Sequence, residues 1–223
     1  MSKFRLLFPL VLMPGLLLIS AIVLKERYYA ACSLVFALLT CVLLLKSFEK
    51  HTTNIRKMVL VAVMTTLSVM SRFLFAMIPG FKPMTAIIVM TAIYLGPEAG
   101  FFCGAFTALV SNVYFGQGPW TPFQMLSFGL LGLLAGVLKS ILRKNRILLI
   151  LYGAFAGVIY SLIMDIWTVL WYNSGFQLDL FLAALVTAFP YTLTYAISNV
   201  IFLLVLYKPF SKKMGRIVYK VGI

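Results

Sequence analysis

Acidic side chains are nearly absent from this chain: 5 Asp and Glu stand among 223 residues, beside 1 histidine and 3 cysteines. Each scarcity excludes a chemistry. One histidine rules out an H-E-x-x-H zinc-hydrolase helix. Asp165 is the single acid within an apolar span, so the carboxylate pair of an intramembrane aspartyl protease is missing. Cys32, Cys41 and Cys103 each lie in an apolar run. They have neither metal-ligand spacing nor a disulfide pattern, and read as small buried hydrophobes. There is no G-x-x-x-x-G-K-[ST] phosphate loop, so ATP hydrolysis is not expected of this chain. A G-x-S-x-G nucleophile elbow is missing too. These absences speak against an enzyme and against a metal or cofactor site. Long polar stretches are also lacking, so no separate soluble domain is expected.

What the chain has instead is apolar surface. It is 63% hydrophobic and 11% charged, with a mean hydropathy of +1.05. Ordinary soluble chains are about half apolar and about a quarter charged. The composition is that of an all-α integral membrane protein. The formal net charge of +14 does not indicate nucleic acid. The cations sit in short segments between apolar runs rather than in a basic stripe interleaved with aromatics.

A membrane span needs about 20 apolar residues. Residues 6–24 and 28–45 form two such runs, joined by Lys25-Glu26-Arg27. No small-residue cleavage site follows the first, so the pair reads as a transmembrane hairpin rather than a secretory signal. A polar linker over 46–57 contains His51 next to Lys50, a solvated position. It sets the boundary between a hairpin unit, 1–57, and a six-helix unit, 58–223. Six runs follow, at 58–78, 84–95, 100–115, 122–138, 147–172 and 178–207. The second and third are short for full spans, and predict tilted, broken or re-entrant segments. The last two are long enough to tilt or to project.

Cation placement sets the orientation. With both termini cytoplasmic, the inner segments hold Lys3, Arg5, Lys46, Lys50, Arg56, Lys57, Lys139, Arg143, Lys144, Arg146 and the cations from Lys208 to Lys220. The outer segments hold only Lys25, Arg27 and Lys82. Residues 79–83, 116–121 and 173–177 then face outward.

Two charges, Arg72 and Asp165, lie within spans. Each costs about 2.5–3.5 kcal/mol even on lenient insertion scales, so it is expected to be paired or functional. Arg72 lies about 14 residues, roughly 21 Å, from the inner end of its span, and Asp165 about 18 residues, roughly 27 Å. Both fall in the outer half. Asp165 extends a small-residue stripe, Gly153, Gly157 and Ser161, of the kind that lets helices approach closely. Gly132-x-x-x-Gly136 is a similar packing signal. Other stripes are Thr65, Ser68 and Arg72; Gly100, Gly104, Ala108 and Asn112; and Thr187, Tyr191, Tyr195 and Asn199. Two arrangements satisfy this pattern. One is an Arg72–Asp165 salt bridge with interhelical hydrogen bonds. The other is an outward pocket lined by Arg72, Asn112, Asp165, Tyr191 and Tyr195. Above it lies the turn Phe115-Gly116-Gln117-Gly118-Pro119-Trp120-Thr121-Pro122, which is either an aromatic membrane anchor or a lid.

Several segments together resemble a known family. They are residues 59–72, Phe81-Lys82-Pro83, Leu95-Gly96-Pro97-Glu98-Ala99-Gly100-Phe101, and Ala108-Leu109-Val110-Ser111-Asn112 running into the 115–122 turn. Gln124-Met125 and the glycine-rich stretch 129–136 complete the set. Over residues 58–210 the chain resembles the substrate-binding S-component of an energy-coupling factor (ECF) vitamin transporter. The resemblance implies a six-helix bundle in a bacterial cell membrane that binds a vitamin-like small molecule from outside. It also implies docking onto a transmembrane coupling subunit that carries two cytoplasmic ATPases. The helix face presented to that subunit, an Ala-x-x-x-Ala pattern in the family, maps onto Ala62 and Thr66. Through its outer loop the same resemblance implies a vitamin such as cobalamin, with Asn112, Gln117, Trp120 and Gln124 as its partners and Arg72, Lys82, Asp165, Tyr191 and Tyr195 completing the site. A stand-alone secondary transporter or channel is the alternative. It would show inverted repeats, and none is evident.

Overall fold

In the computed structural model, residues 54–173 and 177–222 are described, with Val35, Leu38, Leu39 and Val42. Most of the hairpin expected over 1–57 lies outside the described residues. The described residues are helical, with no strand among them. The helices are α1 (Asn54–Leu74), α2 (Met84–Leu95), α3 (Pro97–Phe115), α4 (Thr121–Val137), α5 (Lys139–Lys144), α6 (Arg146–Asn173) and α7 (Leu178–Val221). Three stretches are long and apolar enough to cross a membrane by length and composition: Ile55–Leu74, Arg146–Trp171 and Leu178–Lys220.

The organising element is α2. Its sequence, MTAIIVMTAIYL, has no polar face, and a helix apolar all round is buried all round. It packs against every other described helix. All its residues but Tyr94 are buried. It is therefore short without being broken. At 1.5 Å per residue it rises roughly 18 Å, too little to span the hydrocarbon, yet it is shielded from lipid on all sides. Gly96 ends it at φ +99°, a conformation open to glycine, and donates its N–H to Ala92 O at 2.9 Å. Pro97 starts α3 directly, at the position where a missing N–H costs nothing. Starting there, α3 is 19 residues long, about a full span.

The other helices have two faces. On α1, Val61, Met64, Thr65, Ser68 and Val69 are buried, at helical spacing. Met58, Val59, Ala62, Val63, Thr66, Leu67 and Met70 are exposed on the opposite side. The helix pairs in closest contact are α3 with α4 and α6 with α7. Both seams are built on the glycine stripes. A Cβ on Gly104 would stand 2.2 Å from Phe128 O, and one on Gly132 would stand 2.2 Å from Gly100 O. A Cβ on Gly157 would meet Ala196 N at 2.6 Å. Ser161 and Thr192 share a hydrogen bond of 2.5 Å one level further along the same seam.

The last helix runs on past the apolar stretch at 178–207. It is 44 residues long, takes in Pro190 and Pro209, and continues through Lys212, Lys213 and Arg216. The change from apolar to basic residues marks where the membrane ends, not where the helix does. At that end Arg146 Nη2 donates to Leu204 O at 3.3 Å, and Tyr207 donates to Arg143 O at 2.9 Å. Asn145 Oδ1 caps α6 by accepting from the N–H groups of Ile147 and Leu148.

Candidate functional site

Polar side chains gather at the opposite end of the bundle, where residues 75–83 and 116–120 connect the helices. Arg72, in the last turn of α1, donates from Nη1 to Ser111 Oγ at 2.5 Å and to Asn112 Oδ1 at 2.8 Å, both on α3. Asn112 is 1% exposed, so each of its polar atoms needs a partner within the protein. Its Nδ2 donates to Thr121 Oγ1 at 3.0 Å and to Gln124 Oε1 at 2.9 Å, both on α4. One amide thus links α1, α3 and α4 through a guanidinium, a hydroxyl and a second amide. The Arg72 guanidinium carbon lies 4.5 Å from the centre of the Phe115 ring.

Lys82 approaches the same ring, its Nζ 5.8 Å from the centroid. The loop that carries it is tied to α7. Its N–H donates to Ser198 Oγ at 2.8 Å, and that hydroxyl donates back to Lys82 O at 3.2 Å. Burial first, and then the neighbouring charge of Arg72, pull Lys82 down to about 8.

On the far side stand two tyrosines. Tyr160 of α6 and Tyr195 of α7 pack with ring centroids 4.9 Å apart, both within electrostatic reach of Arg72. Tyr160 also stacks on Phe128 at 4.5 Å. Trp120 folds over Gly118, where a Cβ would meet its ring at 2.4 Å. It stands edge-on to Trp167 at 6.1 Å. An apolar groove of about 420 Å³, lined by Leu134, Leu138, Ile141, Leu148, Leu151 and Phe155 among others, lies at the other end of the bundle. It contains none of these polar groups.

Arg72, Lys82, Asn112, Gln124 and Tyr195 thus come together. The remaining candidates are placed differently. Gln117 donates to Leu109 O at 2.9 Å and closes the end of α3. Tyr191 is 53% exposed, on the outside of α7, beside the Gly80 turn. Asp165 is buried with Oδ2 unpartnered, and among the described residues no ion pair joins it to Arg72. Its stripe faces α7: Gly153 meets Leu203, Gly157 meets Ala196 and Ser161 meets Thr192. Asn199 Oδ1 is likewise buried and unpartnered, while its Nδ2 donates to Gly153 O.

Ser111, Phe115, Thr121 and Tyr160 join the cluster without having been singled out. Ser111 and Asn112 are adjacent in sequence, and Thr121 sits at the start of α4, so their nearness to Arg72 was readable in part. Tyr160 carried no signal beyond lying one residue before Ser161.

A buried polar cluster at one end of an apolar helical bundle is the arrangement of an integral membrane protein. The comparison with known families makes this specific. The family described as "ECF-type riboflavin transporter, S component" matches residues 52–212, and the chain belongs to it. It is accordingly a multi-pass membrane protein and a substrate-specific subunit of vitamin-type transport, not an enzyme. No curated protein and no solved structure matches it. The family description gives no support to cobalamin as the ligand.

Proposed function

We propose that this chain captures a vitamin from outside the cell at the Arg72–Asn112–Gln124 end. It then delivers the vitamin inward together with a transmembrane coupling subunit and two cytoplasmic ATPases. The reading is carried by the hydrogen-bonded chain from Arg72 through Asn112 to Gln124. In an apolar bundle such a chain is costly to bury and marks a functional site. Riboflavin, the vitamin in the family description, is the first ligand to try, and cobalamin is the comparator. The basic end, with Arg143, Lys144 and Arg146, faces the cytoplasm by the positive-inside rule. Both termini lie on that side. Titrating the purified chain with each vitamin tests the ligand. Saturable riboflavin binding with none for cobalamin is the expected result, and the reverse pattern restores cobalamin.

Docking is assigned to the exposed face of α1 around Ala62 and Thr66. Both positions are solvent- or lipid-exposed. The Thr66 hydroxyl is turned back onto Ala62 O at 3.0 Å, so it makes no demand on a partner and leaves a small, nearly apolar surface. Helices pack closely on such surfaces in membranes. Ala62→Leu is expected to leave vitamin affinity intact and to lower uptake at least tenfold, about 1.4 kcal/mol at the contact. Binding assays on the purified chain and uptake assays in cells separate the two effects. Undiminished uptake would remove α1 from the docking surface. Pull-down of the wild-type chain should bring a coupling protein with two ATPases. A chain that transports vitamin alone, in proteoliposomes without them, would be a secondary transporter instead.

A further inference from the structure

Two cations meet at the Phe115 ring, and among the described residues no anion answers them. The Arg72 guanidinium carbon is 4.5 Å from its centre and the Lys82 ammonium 5.8 Å. The hydrogen-bond acceptors of Arg72 are neutral: a hydroxyl and an amide. Among the described residues Lys82 Nζ has no hydrogen-bond acceptor and no carboxylate. Asp165, on the α6 stripe that packs on α7, has its Oδ2 unpartnered, and among the described residues no ion pair joins it to either cation. Cation–π contact recovers only about 0.5–2 kcal/mol, while the two like charges repel. A half-buried pair of this kind is unfavourable as it stands, and persists where a ligand supplies the missing charge.

We infer that the vitamin taken up at this site carries an anionic group, a phosphate ester or a carboxylate, which sits between Arg72 and Lys82 beside Phe115. The inference rests on the binding role proposed above and narrows its substrate class. Arg72 supplies the geometry: its remaining N–H groups form a planar fork suited to two oxygens of an oxyanion. Lys82 supplies a second charge from a loop pinned by Ser198. Riboflavin itself is uncharged at neutral pH, whereas flavin mononucleotide is the same vitamin with a phosphate ester. The two isolate the anionic group from the rest of the ligand.

The test is calorimetric titration of the purified full-length chain with riboflavin and with flavin mononucleotide, on wild type, Lys82→Gln and Lys82→Arg. The mononucleotide should bind at least tenfold tighter, the worth of about one charge-assisted hydrogen bond. Lys82→Gln should erase that preference and Lys82→Arg should keep it. The preference should also shrink as pH rises through about 8, where Lys82 loses its proton. The neighbouring charge on Lys82 is Arg72 from α1; Tyr160 from α6 and Tyr195 from α7 lie within reach of Arg72, and Tyr191 stands beside the Gly80 turn. Arginine and tyrosine ordinarily titrate at about 10 or above, so they do not account for a change at that pH. Equal or better binding of riboflavin, unchanged in Lys82→Gln, overturns the anion site and leaves the vitamin-binding role standing. If neither flavin binds, thermal unfolding with inorganic phosphate and with citrate decides the matter. Stabilisation of wild type but not of Lys82→Gln supports the site, and the stronger of the two names phosphate or carboxylate. No stabilisation by either overturns it.

Discussion

Gly104→Val should leave little folded protein. Its side chain would enter the α3–α4 seam, where a Cβ at position 104 already stands 2.2 Å from Phe128 O and 2.4 Å from Phe128 C. Those are backbone atoms of a helix packed on its other side against α2, and they cannot swing away as a flexible side chain would. The helices must separate, and separation breaks the neighbouring contacts of Gly100 with Gly132 and of Gly136 with Pro97. A loss of about 3 kcal/mol is expected. The apparent unfolding midpoint in detergent should drop by roughly 10 °C. Gly215→Ala is the matched control. Nothing lies within 4 Å of a Cβ there, and inside a helix alanine should leave stability unchanged or raise it by up to about 1 kcal/mol. Equal behaviour of the two variants would show that the seam is looser than its geometry implies.

Asn112→Leu should have the largest effect on binding. Leucine keeps the branched shape, with bulkier methyl groups, but removes one of the two acceptors of Arg72 and the donors to Thr121 and Gln124. It strips a neutralising dipole from a half-buried guanidinium and takes a donor from each of two acceptors on α4, Thr121 Oγ1 keeping only the N–H of Gly118. A buried group that loses its partner costs about 1–3 kcal/mol, and more when charged. Because the same amide sets the positions of both Arg72 and Gln124, vitamin affinity should fall by ~100-fold. The comparison is equilibrium binding of riboflavin and of flavin mononucleotide to wild type and variant, on material that elutes as a single monodisperse species. Affinity within twofold of wild type would mean that the network serves packing alone.

The sequence told more about faces than about neighbours. Helical spacing separated the buried Thr65 and Ser68 and the half-buried Arg72 from the exposed Ala62 and Thr66, because a 3.6-residue repeat assigns each residue to a side. The stripe through Gly100, Gly104, Ala108 and Asn112 was readable as a close seam for the same reason. Counting residues also placed Arg72 and Asp165 at similar depth. Depth, however, is one coordinate, and the direction each side chain takes around the bundle is another. α1 packs on α2 and α3, whereas α6 packs on α7 and α4. Arg72 therefore meets Asn112, while Asp165 lies on the α6 stripe that packs on α7. The turn at 115–122 shows a related limit. Its composition announced a special loop, but it did not announce that Gln117 would close α3 or that Trp120 would lean on Trp167. Those choices depend on rotamers and on a helix some fifty residues further along the chain. The end of α7 was missed because a basic stretch and an apolar one are equally good helix formers.

The burial of α2 bears on how the chain is made. A segment of 12 residues is too short to settle across the hydrocarbon unaided, so the insertion machinery cannot release it into lipid as a finished unit. It must wait at the lateral exit, with α1 behind it, until α3 and α4 arrive to enclose it. Synthesis and assembly are then one event for this part of the protein. A chain truncated after residue 96 and released should be one that quality-control proteases can still reach. One truncated after residue 137 should hold its central helix out of their grasp.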